Sequence, residues 1–298
     1  QFNPMVPIRS HVNIVGAGPD STLLVVTNSI EGINNNVVSG CYSKNTQISG
    51  FTITSSIIDG VWPILNLCSL EKSSISNVTI RDLVASNRGS IMITEPIDVL
   101  LKNIRVYDID AEDRGGIYSS EWDSGAIIDC EFRNIRSVFN DPEEDPVVMF
   151  IINVNDSMSI QNCIFSNFET SPGQTAFAIT DGLNDNAPLN VNITGCLFSN
   201  MSNDTYPPIV FGNQSTESFK ITNNTFVNLE GWPAALFLIG HHQLQNNIFY
   251  NPLCNYELSV MTVPISPVSN IYLDYNNIRG GSQGIITGPN CFVEYGTT

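Results

Sequence analysis

Basic residues are scarce in this chain: 12 Lys and Arg stand against 29 Asp and Glu among 298 residues, a formal net charge of −17. That surplus repels polyanions at long range, which argues against nucleic acid and anionic membrane surfaces as partners. No run of eighteen apolar residues occurs, so no membrane span is expected. Catalytic signatures are thin as well. There are three histidines, no G-x-S-x-G and no glycine-rich loop opening a helix; "GAGPDST" at residues 16–22 runs into a strand-like segment instead. Seven cysteines are too few to scaffold a chain of this length, and the odd count leaves at least one unpaired.

What is present is apolar and asparagine-rich. Hydrophobic residues make up 42% of the chain, enough for a large core in a folded protein. N-x-[ST] sequons begin at Asn77, Asn155, Asn192, Asn200, Asn203, Asn213 and Asn223, beside only four lysines. This density points to an extracellular protein. The opening "QFNPMVPIRS" has no basic segment leading into an apolar one, and residues 1–298 read as a single domain cut from a longer secreted protein.

A repeat organises the chain. "NCIFSNF" at 162–168 returns thirty-three residues later as "GCLFSNM", and one template covers both: an apolar residue, two residues, Cys/Asn/apolar, one residue, Phe/Ile/Val, one residue, Asn/Asp, apolar. It recurs nine times, starting at Ile48, Ile75, Leu101, Ile127, Ile160, Ile193, Ile221, Leu244 and Leu273. Positions four and six share one face of a strand, so the sixth column, Ile53, Ile80, Val106, Phe132, Phe165, Phe198, Phe226, Phe249 and Ile278, reads as core. The eighth column, with Asp82, Asp108, Asn134, Asn167, Asn200 and Asn228, falls where a strand must turn, and a buried asparagine ladder is expected there. Repeat lengths of 23 to 33 residues without paired amphipathic helices exclude ankyrin and tetratricopeptide arrays. The remaining solution is an all-β, right-handed parallel β-helix of about nine or more coils, a rod of roughly 43 Å at strand spacing.

With this template and the entry segment "VNIVGAGPDSTLL" at 12–24, the chain resembles the pectate-lyase-like β-helix superfamily over nearly its whole length. The resemblance implies the fold; lyases, hydrolases, phage spikes, adhesins and surface-layer proteins share it. The "FSN" phrases also resemble polymorphic autotransporter adhesins, although their Phe-x-x-Asn spacing and Gly-Gly-Ala partner are missing.

Outward positions supply the candidate site. Arg81, Arg105 and Arg133, three of eight arginines, fall on one face with Tyr107 and Glu131. Guanidinium forks bind carboxylates and a ring can stack on a sugar, so this face could hold an acidic glycan; alternatively the arginines pair with Glu131 and nearby acids as a lattice. If the protein is a lyase, Arg105 or Arg133 removes the proton and Asp110, Glu112 and Asp113 of "YDIDAEDRGG" hold Ca²⁺. The acidic run at 140–146 could approach them, or both runs are simply solvated loops. A polygalacturonase-like hydrolase needs three aspartates, Gly-His-Gly and Arg-x-Lys. The chain has no Arg-x-Lys and only "GHH" at 240–242, an expected exposed corner.

Ile164, Leu197 and Ile248 form an apolar stripe that loops or another protein copy would cover. Cys130, Cys163 and Cys196 share the fourth column as reduced interior thiols, while Cys254 and Cys291, in similar phrases, are expected to form a disulfide. Asn155, Asn203 and Asn213 are the expected glycosylation sites, and Asn200 an inaccessible one. The function expected is a structural, adhesive or glycan-binding surface protein without catalysis or obligatory cofactor. Its partners would be glycans or neighbouring copies. A Ca²⁺-dependent lyase and a viral receptor-binding spike are the alternatives.

Overall fold

The computed structural model describes residues 6–7, 9–26, 38–55, 63–88, 90–113, 115–137, 149–172, 174–181, 190–203, 205–212, 219–261 and 268–296. They form a parallel β-helix. One sheet of eleven parallel strands starts at Val6–Pro7 and ends at Ile285–Thr287. The rest of each coil forms two further parallel stacks meeting at a bend. Single long strands, Ser74–Arg88 and Val99–Asp113, run through that bend in the early coils; in later coils it separates pairs such as Ser157–Gln161 and Ile164–Thr170. The path is right-handed, the hand that crossovers between parallel strands almost always take.

Local sequence explains each piece. Asn190–Thr194 alternates Val191 and Ile193 inward with Asn190, Asn192 and Thr194 outward, the period of a strand with one buried face. The first template column stacks in register from Ile48 through Ile75, Leu101, Ile127, Ile160, Ile193, Ile221 and Leu244 to Leu273. The sixth column stacks likewise. Phe132, Phe165, Phe198, Phe226 and Phe249 lie at successive centroid distances of 5.5, 5.0, 4.9 and 4.8 Å with near-parallel rings. Each is at most 1% exposed, and each full burial stabilises by roughly 1.5–3 kcal/mol.

The bends have a conformational cause. The third template column (Gly50, Asn77, Asn103, Asp129, Asn162, Gly195, Asn223, Asn246, Tyr275) has positive φ throughout, as do Asp82, Asp108, Asn134, Asn167, Asn200, Asn228 and Gly280 of the eighth. Asn, Asp and Gly tolerate this left-handed conformation best. Because such residues turn the chain convexly, their side chains face solvent. These eighth-column positions are therefore exposed, not buried as expected, although their amides still link coils: Asn167 Nδ2 donates to Asn134 Oδ1 at 2.7 Å, and Asn200 Nδ2 to Asn167 Oδ1 at 2.9 Å. Asn251 of the same column, which lacks the positive φ, is buried as expected.

The interior hydrogen-bonded ladder is the fourth column. The Cys130 and Cys163 N–H groups donate to the Sγ of Cys163 and Cys196, both at 3.4 Å. Asparagine continues the pattern: the N–H groups of Cys196, Asn224 and Asn247 donate to Oδ1 of Asn224, Asn247 and Asn276 at 2.8–2.9 Å. Each coil thus supplies the acceptor that satisfies a buried N–H of the coil before it.

The expected Cys254–Cys291 disulfide does not form. Cys254 sits in the connection before the first-sheet strand Tyr256–Met261, donating its thiol to Leu229 O, whereas Cys291 opens a strand beside Ser269 in another stack. Similar phrases here occupy different sides of the coil. The bond present joins Cys41 and Cys68, register partners on adjacent first-sheet strands with Cα atoms 4.4 Å apart.

Candidate functional site

Register brings the expected ligand-binding residues together. Arg81, Tyr107 and Arg133 occupy one row across three adjacent strands, with Arg105 and Glu131 in the row beside it. Arg105 and Arg133 are exposed; Arg81, Tyr107 and Glu131 are half-buried. Intramolecular acids engage part of this charge. Arg133 Nε pairs with Glu131 Oε1, and Arg81 Nη1 lies 3.3 Å from Asp82 Oδ2. Arg105 has no ion pair among the described residues. The next row, past the template's eighth position, carries Arg136 between Asp110 and Glu169, 3.3 Å from each. The hydrogen bond to Glu169, followed by the charge of Asp110, raises the Arg136 pKa above its ordinary value. The apolar stripe expected beyond this patch is only partly exposed: Ile164 and Leu197 are half-buried, and Ile248 is exposed.

The remaining expectations fare unevenly. Asp110 is not a free loop acid, because it lies within the strand Val99–Asp113 and binds Arg136. The side chains of Glu112 and Asp113, the run 140–146 and Asn213 lie outside the described residues. Among the described residues, no three His, Cys, Asp or Glu side chains converge as a metal site.

Asn155 is half-buried, its Nδ2 donating to Asp123 Oδ1 at 3.0 Å. Asn203, expected to be an accessible sequon, is only 4% exposed. Its Nδ2 donates to Gln174 O, and its Oδ1 accepts from the Thr205 and Tyr206 N–H groups at 3.0 and 3.2 Å, so this amide fastens a connection in place. Asn200 shows the reverse and is exposed. The "GHH" corner is not an exposed turn either. His242 points inward within His241–Gln245, edge-on to Phe219 at 5.3 Å, with Nε2 2.9 Å from Ile239 O. Burial pushes its pKa down to about 4.

One concavity was not legible in the repeat. On the outward face of the first sheet, a groove of about 410 Å³ is lined by Tyr206, Trp232, Phe237, Tyr256, Ser259 and Met261, among others. Register aligns Phe237, Ser259 and Ile286 along its floor. Its rim comes from the connections before three successive first-sheet strands, outside the template. The only sequence signal was aromatic residues beside proline, as in Tyr206-Pro207 and Trp232-Pro233.

No family model matches the chain, and neither does any curated protein. Solved structures do. The A-module of the mannuronan C-5 epimerase AlgE4 from Azotobacter vinelandii superposes with a TM-score of 0.55 at 12% identity, covering 97% of this chain and 80% of that one. The AlgE6 A-module from the same organism gives 0.49 at 12% identity, covering 98% and 85%. At such identity the AlgE4 likeness shows the fold alone, a right-handed parallel β-helix.

Proposed function

We propose that this chain is an extracellular β-helix that holds an acidic polysaccharide, without catalysis, along the face carrying Arg81, Arg105, Tyr107 and Arg133. The observation that supports this most is the Arg81–Tyr107–Arg133 row with Arg105 beside it, which gathers guanidinium groups around a ring in a chain of net charge −17. Strands about 4.8 Å apart present these groups at regular intervals, and a polymer offers carboxylates at regular intervals too. Surface ion pairs such as Arg133–Glu131 are worth only about 0–1 kcal/mol, so ligand carboxylates can displace Glu131 and Asp82. Bidentate geometry favours the exchange. Long-range repulsion by the net charge is screened beyond about 10 Å at 0.1 M salt.

A Ca²⁺-dependent lyase is the second reading, and the exposed Arg105, without an ion pair among the described residues, favours it as the proton-removing base. The named fold neighbour makes mannuronan one polymer to test, beside other polyuronates. Affinity electrophoresis through polyuronate-loaded gels is expected to retard the protein, with the Arg105→Ala/Arg133→Ala variant running freely. Parallel ultraviolet readings with Ca²⁺ report unsaturated product. Unretarded wild-type protein rejects the binding reading, and a rising absorbance favours the lyase.

A further inference from the structure

We infer that the groove on the first sheet is a second carbohydrate site, and that it takes an uncharged sugar residue of a glycan. It lies on a different face from the arginine rows and does not depend on them.

Three features point to this occupant. The first is charge: among the described residues, no carboxylate, ammonium or guanidinium lines the groove. A uronate or sulfated sugar would enter without a counter-charge, in a molecule already carrying −17, and a desolvated unpaired anion is costly. The second is shape and surface. Trp232 and Tyr206 stand at the rim, 62% and 49% exposed, with Tyr256 and Phe237 below. The volume falls within the range of about 300–1,000 Å³ of small-molecule sites. The C–H edges of a pyranose ring carry partial positive charge and meet the negative face of an aromatic ring, while its hydroxyls need polar partners.

The third feature is such a partner, waiting. Ser259 is 0% exposed, lines the groove, and its Oγ has no hydrogen-bond partner. An unpartnered buried hydroxyl is a cost in the free protein that a sugar hydroxyl would relieve. Phenol, hydroxyl and amide groups of Tyr206, Tyr256, Thr205 and Asn255 complete a neutral polar set.

The rim is built to stay in place. Asn203 Oδ1 receives the Thr205 and Tyr206 N–H groups. Gly231 lies so close to Pro208 and the Tyr206 carbonyl that an added Cβ would come within 2.4 and 2.8 Å of them. A preorganised rim loses little freedom on binding.

The test uses the full chain in affinity gels and titration calorimetry against galactomannan, xyloglucan and mixed-linkage β-glucan. A glycopeptide bearing a neutral high-mannose glycan separates a protein-borne source from a free polysaccharide. Binding to at least one neutral probe is expected. It should weaken at least ten-fold in Trp232→Ala, a rim change that leaves the core intact, and remain unchanged in Arg105→Ala/Arg133→Ala. Ser259→Ala should weaken binding several-fold while its melting temperature holds or rises, a combination that a merely structural serine would not give. The inference is overturned if no neutral probe binds, if Trp232→Ala binds them equally well, if only polyuronates bind in a Trp232-dependent way, or if choline displaces the probe, which would make the groove a cation cage.

Discussion

Replacing Phe198 by alanine probes the column on which the surface rows depend. Its ring lies between Phe165 and Phe226 at 5.0 and 4.9 Å, interplanar angles 19° and 4°, and meets Phe177 edge-on at 5.1 Å. It is fully buried. Truncation removes the transfer free energy of the ring and leaves a cavity walled by neighbours that are themselves stacked and cannot collapse inward. Phe/Trp→Ala changes in cores cost about 3–5 kcal/mol, and aromatic contacts add about 0.5–1.5 kcal/mol each beyond burial. Phe198→Ala is therefore expected near the top of that range. Phe132→Ala should cost less, because Phe132 stacks on Phe165 alone, at 5.5 Å, and meets Val106 on its other side. Urea unfolding followed by far-ultraviolet dichroism gives both values if the slope is unchanged between variants. A cost below about 1 kcal/mol for Phe198→Ala, or one no larger than for Phe132→Ala, refutes the stacked column, since that lies below the usual core-truncation range.

Three more outcomes follow from buried polar groups. His242 has a folded pKa of about 4 against an ordinary 6.5; as pH falls the unfolded chain takes up this proton first, so its contribution is complete above 6.5 and is lost down to 4. That is about 3 kcal/mol, and thermal melts between pH 4 and 7 should show a slope that His242→Leu flattens. Cys163→Ala strips the acceptor from the Cys130 N–H and should cost about 1–3 kcal/mol; Cys163→Asn, copying Asn224, should recover most of it in the same urea assay. Glu257, fully buried, accepts from Arg279 Nε at 2.6 Å and from the Asn251 N–H and side-chain amide. Glu257→Gln should lower stability in urea, by less than the 3–5 kcal/mol of a fully buried pair, because Arg279 keeps 34% side-chain exposure.

The solenoid was legible because its information is one-dimensional. A constant spacing from Ile160 to Phe165, repeated from Ile193 to Phe198, fixes register without knowledge of the loops, and the Phe132, Phe165 and Phe198 column follows from it. Facing was harder. Asn134 and Asn167 were identifiable as turn residues, but whether their side chains point inward depends on the sign of φ, which the pattern of residue types does not display. The third column, from Asn77 to Tyr275, escaped notice for a related reason: Gly, Asn, Asp and Tyr share only a left-handed backbone there. Pairing between elements outside the template was not legible either. Cys41–Cys68 belongs to the first sheet, whose strands keep no fixed distance from the repeat, and the Tyr206–Trp232 groove is assembled from connections of unequal length.

The spacing of coils along the surface is the most direct test. Arg81, Tyr107, Arg133, Ser166, Ser199 and Val227 are successive register partners, and Thr54 and Tyr250 extend the row at its ends. Strand spacing of about 4.8 Å puts nitroxide labels at positions 81 and 227 about 24 Å apart, and labels at 54 and 250 about 34 Å apart. Pulsed electron–electron resonance should return both distances, differing by about 10 Å. Equal distances, or a first value far from the span of five strand steps, would contradict the stacked coils and every surface assignment made from them.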